Sequence, residues 1–190
     1  EAFVAGTDNA VHAVGSNGHG LWKYQLPAVI HDLDVAGSTP DARQILIGCE
    51  NNSLYSLKAD GSLGWSAVPP AKSYARPGYH EGDLTVHQGK PVVVFGADLQ
   101  GDGQIEVIVG VSNGFVYAYD RAGKLLWDVL SHTPHSMTCG TACDLDGDGR
   151  KEIIMGNIYA YAQVFSCDGK LFGRSCGTGH AGAVVVAARP

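Results

Sequence analysis

The sequence predicts an all-β fold made of one repeated four-stranded unit. Glycine is abundant, at 26 of 190 residues, and no stretch shows the period of an amphipathic helix. The chain also repeats itself. Each copy has an apolar segment ending in glycine, a polar turn, an alternating segment, a glycine turn and an aromatic segment. Repeats of this kind are typical of β-propellers. We therefore predict a single β-propeller domain over residues 1–190, with about four four-stranded blades.

Four copies of the unit follow one another along the chain. The apolar segments that open the copies are Glu1–Gly6, Gln44–Gly48, Glu106–Gly110 and Glu152–Gly156. The aromatic segments that end them carry Trp22, Trp65, Trp127 and Phe172, the last of which we take to replace tryptophan in the fourth copy. We expect these large side chains to fill the space between adjacent blades.

One more strand is predicted at Ala28–Ile30, Pro91–Phe95, Thr138–Ala142 and Ala183–Ala187. The last of these either completes the first blade and closes a ring, or leaves the chain as a slice of a larger propeller. Four-bladed rings are at the low end of the known range. The slice is therefore favoured, and the remaining blades of a longer chain would then be a partner.

Two acidic loops predict calcium binding. Calcium takes six to eight oxygen ligands, so a short loop must supply several carboxylates and a sharp turn. The first loop offers Asp98, Gln100, Asp102 and Glu106; the second offers Asp144, Asp146, Asp148 and Glu152. Because Gln100 is uncharged, we expect weaker binding in the first loop. A third, degenerate copy is predicted at His31–Asp34, and ordinary Asp/Gly surface turns are the alternative for all three.

The motif at residues 110–127, Gly-x-x-Asn-Gly-x-Val-Tyr-Ala-x-Asp-x-x-Gly-Lys-x-Leu-Trp, resembles the PQQ-like and FG-GAP/VCBS propeller repeats. The acidic loops are similar to the calcium loops of FG-GAP repeats, including those of integrin α-subunits. Propellers of these groups include lyases, dehydrogenases, adhesins and sugar binders. The resemblance to secreted polysaccharide lyases, such as ulvan lyases, implies His, Tyr and Arg in catalysis and a structural metal. No constellation that would hold a quinone cofactor is present.

An insertion at residues 69–87 interrupts the repeat, and function is often grafted onto such loops. β-Elimination from a uronate needs a group that neutralises the carboxylate and a base that removes a proton; Arg suits the first role, and His or Tyr the second. An ordinary surface loop is the alternative. The candidate catalytic residues are Tyr74, Arg76, Tyr79, His80 and His87, and the candidate substrate-binding residues are Lys72, His135 and His180.

The predicted function is therefore a secreted, calcium-stabilised propeller that acts on carbohydrate, as a lyase of a uronate-containing polysaccharide. The alternative is a non-catalytic propeller that binds glycan or protein. The net charge of −6 and the lack of a basic stripe argue against nucleic acid as a partner. No apolar run is long enough to span a membrane. We expect an extracellular or periplasmic location.

The five cysteines are an odd number, so they cannot all pair within the chain. Cys139 and Cys143 are spaced for either a local disulfide or part of a zinc site. The zinc alternative would add Cys176 and His180, with His132 and His135 nearby, because zinc prefers thiolate and imidazole ligands.

Overall fold

The computed structural model describes residues 1–39, 42–73, 86–131, 135–159 and 161–176. This part of the chain consists of strands and turns. The strands are β1 (Ala2–Ala5), β2 (Ala10–Val14), β3 (Gly20–Gln25), β4 (Ile30–Ala36), β5 (Gln44–Cys49), β6 (Leu54–Lys58), β7 (Leu63–Ala67), β8 (Lys72–Ser73), β9 (Val86–His87), β10 (Pro91–Ala97), β11 (Glu106–Val111), β12 (Phe115–Tyr119), β13 (Leu125–Leu130), β14 (Met137–Cys143), β15 (Glu152–Asn157), β16 (Tyr161–Phe165) and β17 (Leu171–Cys176).

The strands form the blades that the repeat predicts. Blade 2 is β4–β7, blade 3 is β10–β13 and blade 4 is β14–β17, each an antiparallel sheet with its strands in chain order. Blade 1 holds the three strands β1–β3, and β8 pairs with β9 in a separate hairpin. The all-β propeller architecture is therefore confirmed. No helix among the described residues is long and apolar enough to cross a bilayer.

Alternation along the buried strands supplies the core between blades. Every residue of β11 is buried, because its two faces pack against different neighbours. Val107 and Val109 face blade 2 and contact the cluster around Leu46 and Leu54. Ile108 points the other way and joins the cluster that Met155 and other residues of blade 4 form. One strand thus contributes to two cores, which fixes its register strongly.

A tryptophan joins each blade to the next one along the chain. The indole N–H of Trp22 donates to the Ala59 carbonyl at 3.0 Å, that of Trp65 to the Arg121 carbonyl at 2.8 Å, and that of Trp127 to the Cys167 carbonyl at 2.9 Å. Each ring also packs on the glycine that lies two residues after the residue supplying the carbonyl. A Cβ at Gly61, Gly123 or Gly169 would lie 2.6 Å from the ring that covers it. The predicted place of tryptophan between blades is confirmed.

Phe172 does not occupy the tryptophan position, so that prediction was wrong. Trp127 pairs across the sheet with Ala118, and the equivalent pair in blade 4 joins Val164 to Gly173. The position therefore belongs to Gly173, where an added Cβ would meet no atom within 4 Å. Phe172 lies one residue earlier, on the opposite face, and is 64% exposed.

The degenerate third metal loop at His31–Asp34 was also predicted wrongly, because β4 runs through it. Register places Gly37 where the other two blades have the first aspartate of their loops. Asp32 accepts a hydrogen bond from the Val94 amide at 2.7 Å, and Asp34 accepts one from the Gly96 amide at 2.9 Å. Both acids therefore satisfy backbone donors of β10.

The two ends of the propeller carry different features. The loops that follow β4, β10 and β14 lie at one end, here called the loop end. The β8–β9 hairpin at the base of the insertion and the β11–β12 and β15–β16 turns lie at the other, here called the insertion end. The predicted strand at Ala183–Ala187 lies outside the described residues, so the choice between a closed ring and a slice stays a prediction.

Candidate metal centre

The loop at residues 144–152 is held by hydrogen bonds from its own backbone to its carboxylates. Asp144 accepts from the amides of Gly147 at 2.6 Å and Gly149 at 2.9 Å. The buried Glu152 accepts from the Leu145 amide at 2.9 Å. Gly147 and Gly149 have φ of 83° and 88°, a region that residues with a Cβ rarely enter. The first acid and the last acid thus fold the loop back on itself.

Three of its carboxylates converge. One oxygen each of Asp144, Asp146 and Glu152 lies within 4.8 Å of the others. Calcium binds oxygen at about 2.3–2.6 Å, so two ligands on one ion lie at most about 5 Å apart. The donor set therefore fits a calcium ion. Asp148, the fourth predicted ligand, accepts from the Arg150 amide at 2.8 Å and stands beside this cluster in the chain.

The loop at residues 98–106 has the same frame. Asp98 accepts from the amides of Gly101 at 2.8 Å and Gly103 at 3.0 Å, and Glu106 accepts from the Leu99 amide at 2.8 Å. Burial raises the pKa of Glu106 above its ordinary value, and the charges of Asp102 and Asp98 raise it further. Calcium would offset this cost by neutralising the charge.

The two loops touch each other. The Lys151 amide donates to the Leu99 carbonyl at 2.9 Å. The guanidinium of Arg150 donates to the side-chain oxygen of Gln100 at 2.8 Å and to Asp168 at 3.0 Å. Gln100, predicted as a calcium ligand, thus has its oxygen bound by an arginine. Sequence reasoning missed Arg150, although a basic residue between ligand positions was a visible signal.

Two of the predicted site residues in the insertion, Lys72 and His87, lie at its base and contact blade 3. Lys72 and His87 are partners in the β8–β9 hairpin. The Lys72 ammonium donates to Asp128 at 2.8 Å, and the His87 carbonyl accepts from the Asn113 amide side chain at 3.1 Å. The Tyr117 hydroxyl donates to the Pro70 carbonyl at 2.7 Å. The other catalytic candidates, Tyr74, Arg76, Tyr79 and His80, lie outside the described residues.

His135 and the acidic loops lie at opposite ends of the propeller. The His135 ring is 4.2 Å from the ring of Tyr159, which follows β15 at the insertion end. Its predicted partner in substrate binding, His180, lies outside the described residues. His31 at the same end bonds Glu50 at 2.5 Å, and Lys90 also pairs with Glu50. His31 thus takes part in an ion-pair cluster, and a substrate-binding role for His135 stays a prediction.

Among the described residues, Cys49, Cys143 and Cys167 are free thiols. The Cys139–Cys143 disulfide is therefore absent. Burial raises the pKa of both Cys49 and Cys167 to about 11, which keeps these thiols protonated and unreactive near neutral pH. Within the described ranges neither Cys139 nor Cys143 joins a cluster of metal-binding side chains. His132, His180 and the Cys176 side chain are not described, so zinc stays a prediction.

Comparison with known proteins places the chain among propellers of known structure. It is similar to BBS1N in a crystal structure of its complex with ARL6DN (TM-score 0.66, 16% identity, 95% of this chain and 51% of that one). It is also similar to the computationally designed Ika8 protein (TM-score 0.68, 14% identity, 98% and 49%) and to the Dos1 propeller (TM-score 0.65, 15% identity, 93% and 44%). At these identities the likeness shows the fold alone.

The chain spans about half the length of these three structures. No family model and no curated protein matches its sequence.

Proposed function

We propose that this chain is a non-catalytic binding propeller, stabilised by calcium, that presents the insertion at 69–87 to a glycan or protein partner. The observation that carries this proposal is the anchoring of the insertion. Lys72 is engaged by Asp128, and the His87 and Pro70 carbonyls are bonded to side chains of blade 3. A loop whose base is fastened to its scaffold in this way is suited to presenting the segment between its two ends to a partner.

Calcium would be held by Asp144, Asp146, Asp148 and Glu152. Its contribution would be structural, because the loop connects β14, the first strand of blade 4, to the buried strand β15. A metal there would tie the two strands together and would stabilise the folded state by mass action. Calcium-dependent folding also suits an extracellular or periplasmic protein, since weak calcium sites fill only where the ion is abundant.

A protein partner is supported by one comparison. BBS1N, a structure of similar fold, is described in complex with ARL6DN. A glycan partner is supported by the resemblance of the repeats to those of carbohydrate-active propellers.

The proposal is tested by binding measurements with two proteins that differ only at the insertion. A variant in which residues 74–85 are replaced by a short glycine–serine linker keeps the β8–β9 base and the calcium loops. We expect the wild-type chain to bind a glycan or protein target in an array and this variant to lose that binding, with unchanged thermal stability. Equal binding by both proteins would contradict the proposal.

A polysaccharide lyase is the second candidate function. The observation in its favour is that Lys72 and His87, a cation and a base, stand opposite each other at the root of the insertion. The test is ultraviolet absorbance of the unsaturated product during incubation with uronate-containing polymers. Product that disappears with Arg76→Ala or His80→Ala would establish the lyase, and its absence on every polymer would leave the binding propeller.

A further inference from the structure

A groove at the loop end, between blades 2 and 3, has the composition of a ligand site. Its volume is about 430 Å³, within the range of small-molecule pockets. It lies at the opposite end from the insertion and separate from both acidic loops. Its polar and aromatic lining includes Arg43, Gln44, Ser56, Lys58, Trp65 and Arg121.

Gln44 gives this groove a buried acceptor in need of a donor. The residue is 8% exposed, and its amide nitrogen donates to the Ser56 hydroxyl at 3.1 Å and to the Arg121 carbonyl at 2.9 Å. Because a carbonyl only accepts, the Arg121 contact fixes which way the amide points. The amide oxygen is buried and has no hydrogen-bond partner among the described residues. A buried polar atom without a partner is unusual and calls for an explanation.

Comparison with the other blades shows what is different about Gln44. It stands at the register position that Glu106 holds in blade 3 and Glu152 in blade 4. Both glutamates accept an amide hydrogen bond from their own acidic loop. Gln44 instead donates to the β12–β13 turn of the next blade. Its side-chain oxygen therefore does not have the role that the glutamate oxygens have in holding an acidic loop.

The groove is basic in an acidic protein. Arg43, Lys58 and Arg121 line it, against the single acid Asp60, whereas the whole chain has a net charge of −6. Asp60 accepts from the Ser62 amide at 2.9 Å and the Ser62 hydroxyl at 2.6 Å. Of the basic side chains, Arg43 bonds Glu1 at 3.2 Å. Lys58 is exposed, and after the Ser62 hydrogen bonds its charge helps to lower the pKa of Asp60 below the ordinary value. An anionic group on a ligand would be attracted here.

Trp65 adds an apolar wall. Its indole N–H is already used by the Arg121 carbonyl at 2.8 Å, and the ring is half-buried. Gly123 lies against the ring and Tyr119 stacks with it at 6.3 Å between ring centroids, so it offers a ligand only the part of its aromatic surface that these contacts leave open. The C–H face of a sugar ring packs well on such a surface, while its hydroxyls supply donors and a carboxylate or sulfate supplies charge.

We infer that the groove between blades 2 and 3 binds an acidic sugar residue, with Lys58 facing its anionic group, Gln44 accepting from a hydroxyl and Trp65 packing against the ring. This site goes beyond the proposed function, because it needs neither calcium nor the insertion.

The test is a titration of the intact chain with a galacturonate trisaccharide, followed by the indole N–H signals of the three tryptophans. We expect the Trp65 signal to shift saturably while those of Trp22 and Trp127 stay unchanged. A neutral glucose trisaccharide should cause no shift. A sulfated disaccharide that binds equally well would assign the anionic group as either carboxylate or sulfate and would support the site.

Two variants and a control locate the binding. Lys58→Glu and Gln44→Leu should each weaken binding by roughly tenfold or more, equivalent to about 1.4 kcal/mol. Lys124→Glu, which makes the same charge change in the corresponding turn of blade 3, should have no effect. Because Gln44→Leu also removes a hydrogen bond between blades, Lys58→Glu is the deciding variant.

Three outcomes would overturn the inference. The first is no saturable shift with either acidic saccharide. The second is equal weakening by Lys58→Glu and Lys124→Glu, which would mean that only the overall charge matters. The third is tighter binding of a nucleotide such as AMP than of either saccharide, which would assign the groove to a different ligand class.

Discussion

The two acidic loops have the same backbone frame but different side chains facing inward. In each, the first aspartate and the ninth-position glutamate accept amide hydrogen bonds from the loop itself. The loops differ at the third position, where Asp146 joins the convergent carboxylates and Gln100 is bound by Arg150. The outer acids thus shape both loops, and we predict that the side chain at the third position decides which loop binds calcium more tightly.

The largest expected effect concerns the interface that keeps the two loops together. Trp127 links blade 3, which carries the first loop, to blade 4, which carries the second. Truncating a buried tryptophan to alanine costs about 3–5 kcal/mol, and this side chain is half-buried. We expect Trp127→Ala to lower the free energy of unfolding by about 3 kcal/mol in urea denaturation. Leu126→Ala, at an exposed neighbouring position, is the control and should cost much less.

Calcium should give the next largest effect, and it should act through one loop. At a concentration of about 100 times Kd, an ion bound only by the folded state stabilises it by about 2.7 kcal/mol. For a chain of this size that corresponds to an increase in Tm of about 5–10 °C, measurable by calorimetry with calcium and with a chelator. Isothermal titration should find one site that binds calcium more tightly than the other. Two sites of equal affinity would contradict the difference between the loops.

Exchanging the third positions should exchange the affinities. Asp146→Gln gives the second loop the side chain of the first, and we expect calcium affinity to fall by roughly tenfold or more, about 1.4 kcal/mol. Gln100→Asp should strengthen the first loop, because it adds a charged ligand. Titration calorimetry measures both, and unchanged affinity in both variants would show that the third position is not a ligand.

The smallest effect is expected at the contact between the loops. Arg150→Ala removes an exposed side chain that bonds Gln100 and Asp168, and such surface contacts contribute about 1 kcal/mol or less. Stability without calcium should therefore hardly change. Calcium binding in the first loop should improve, because the Gln100 oxygen becomes available and a nearby positive charge is lost. Lys170→Ala, which removes a charge at an adjacent turn, is the control.

Most of the fold was predictable because its signals are local and repeated. The strand predicted from Glu106 to Gly110 was found as β11 over Glu106–Val111, and the glycine turns stand where the dipeptides indicated. The sequence was less informative about which residues occupy equivalent positions in two copies of the repeat. In sequence Phe172 resembles the tryptophan equivalent because an aromatic residue follows leucine in both copies, and only the cross-strand register shows that Gly173 holds the place.

The candidate site was predictable only in its local part. Ligand spacing within one loop is visible in the sequence, whereas the bond between Arg150 and Gln100 joins residues 50 positions apart. Asp32 and Asp34 were misassigned for the same reason. Their partners are amides of the neighbouring blade, 62 positions away, and an acidic pair in a strand looks like an acidic pair in a loop.

The tryptophan contacts between blades have a consequence for how such a chain diversifies. Each indole N–H donates to a main-chain carbonyl, and each ring packs against a glycine that has no Cβ. The contact therefore does not depend on the side chain of the residue that supplies the carbonyl. Alanine, arginine and cysteine stand there in the three interfaces. Mutation can thus change the chemistry at the rim of an interface without weakening the interface itself, and the basic groove beside Arg121 shows how a new surface could arise by that route.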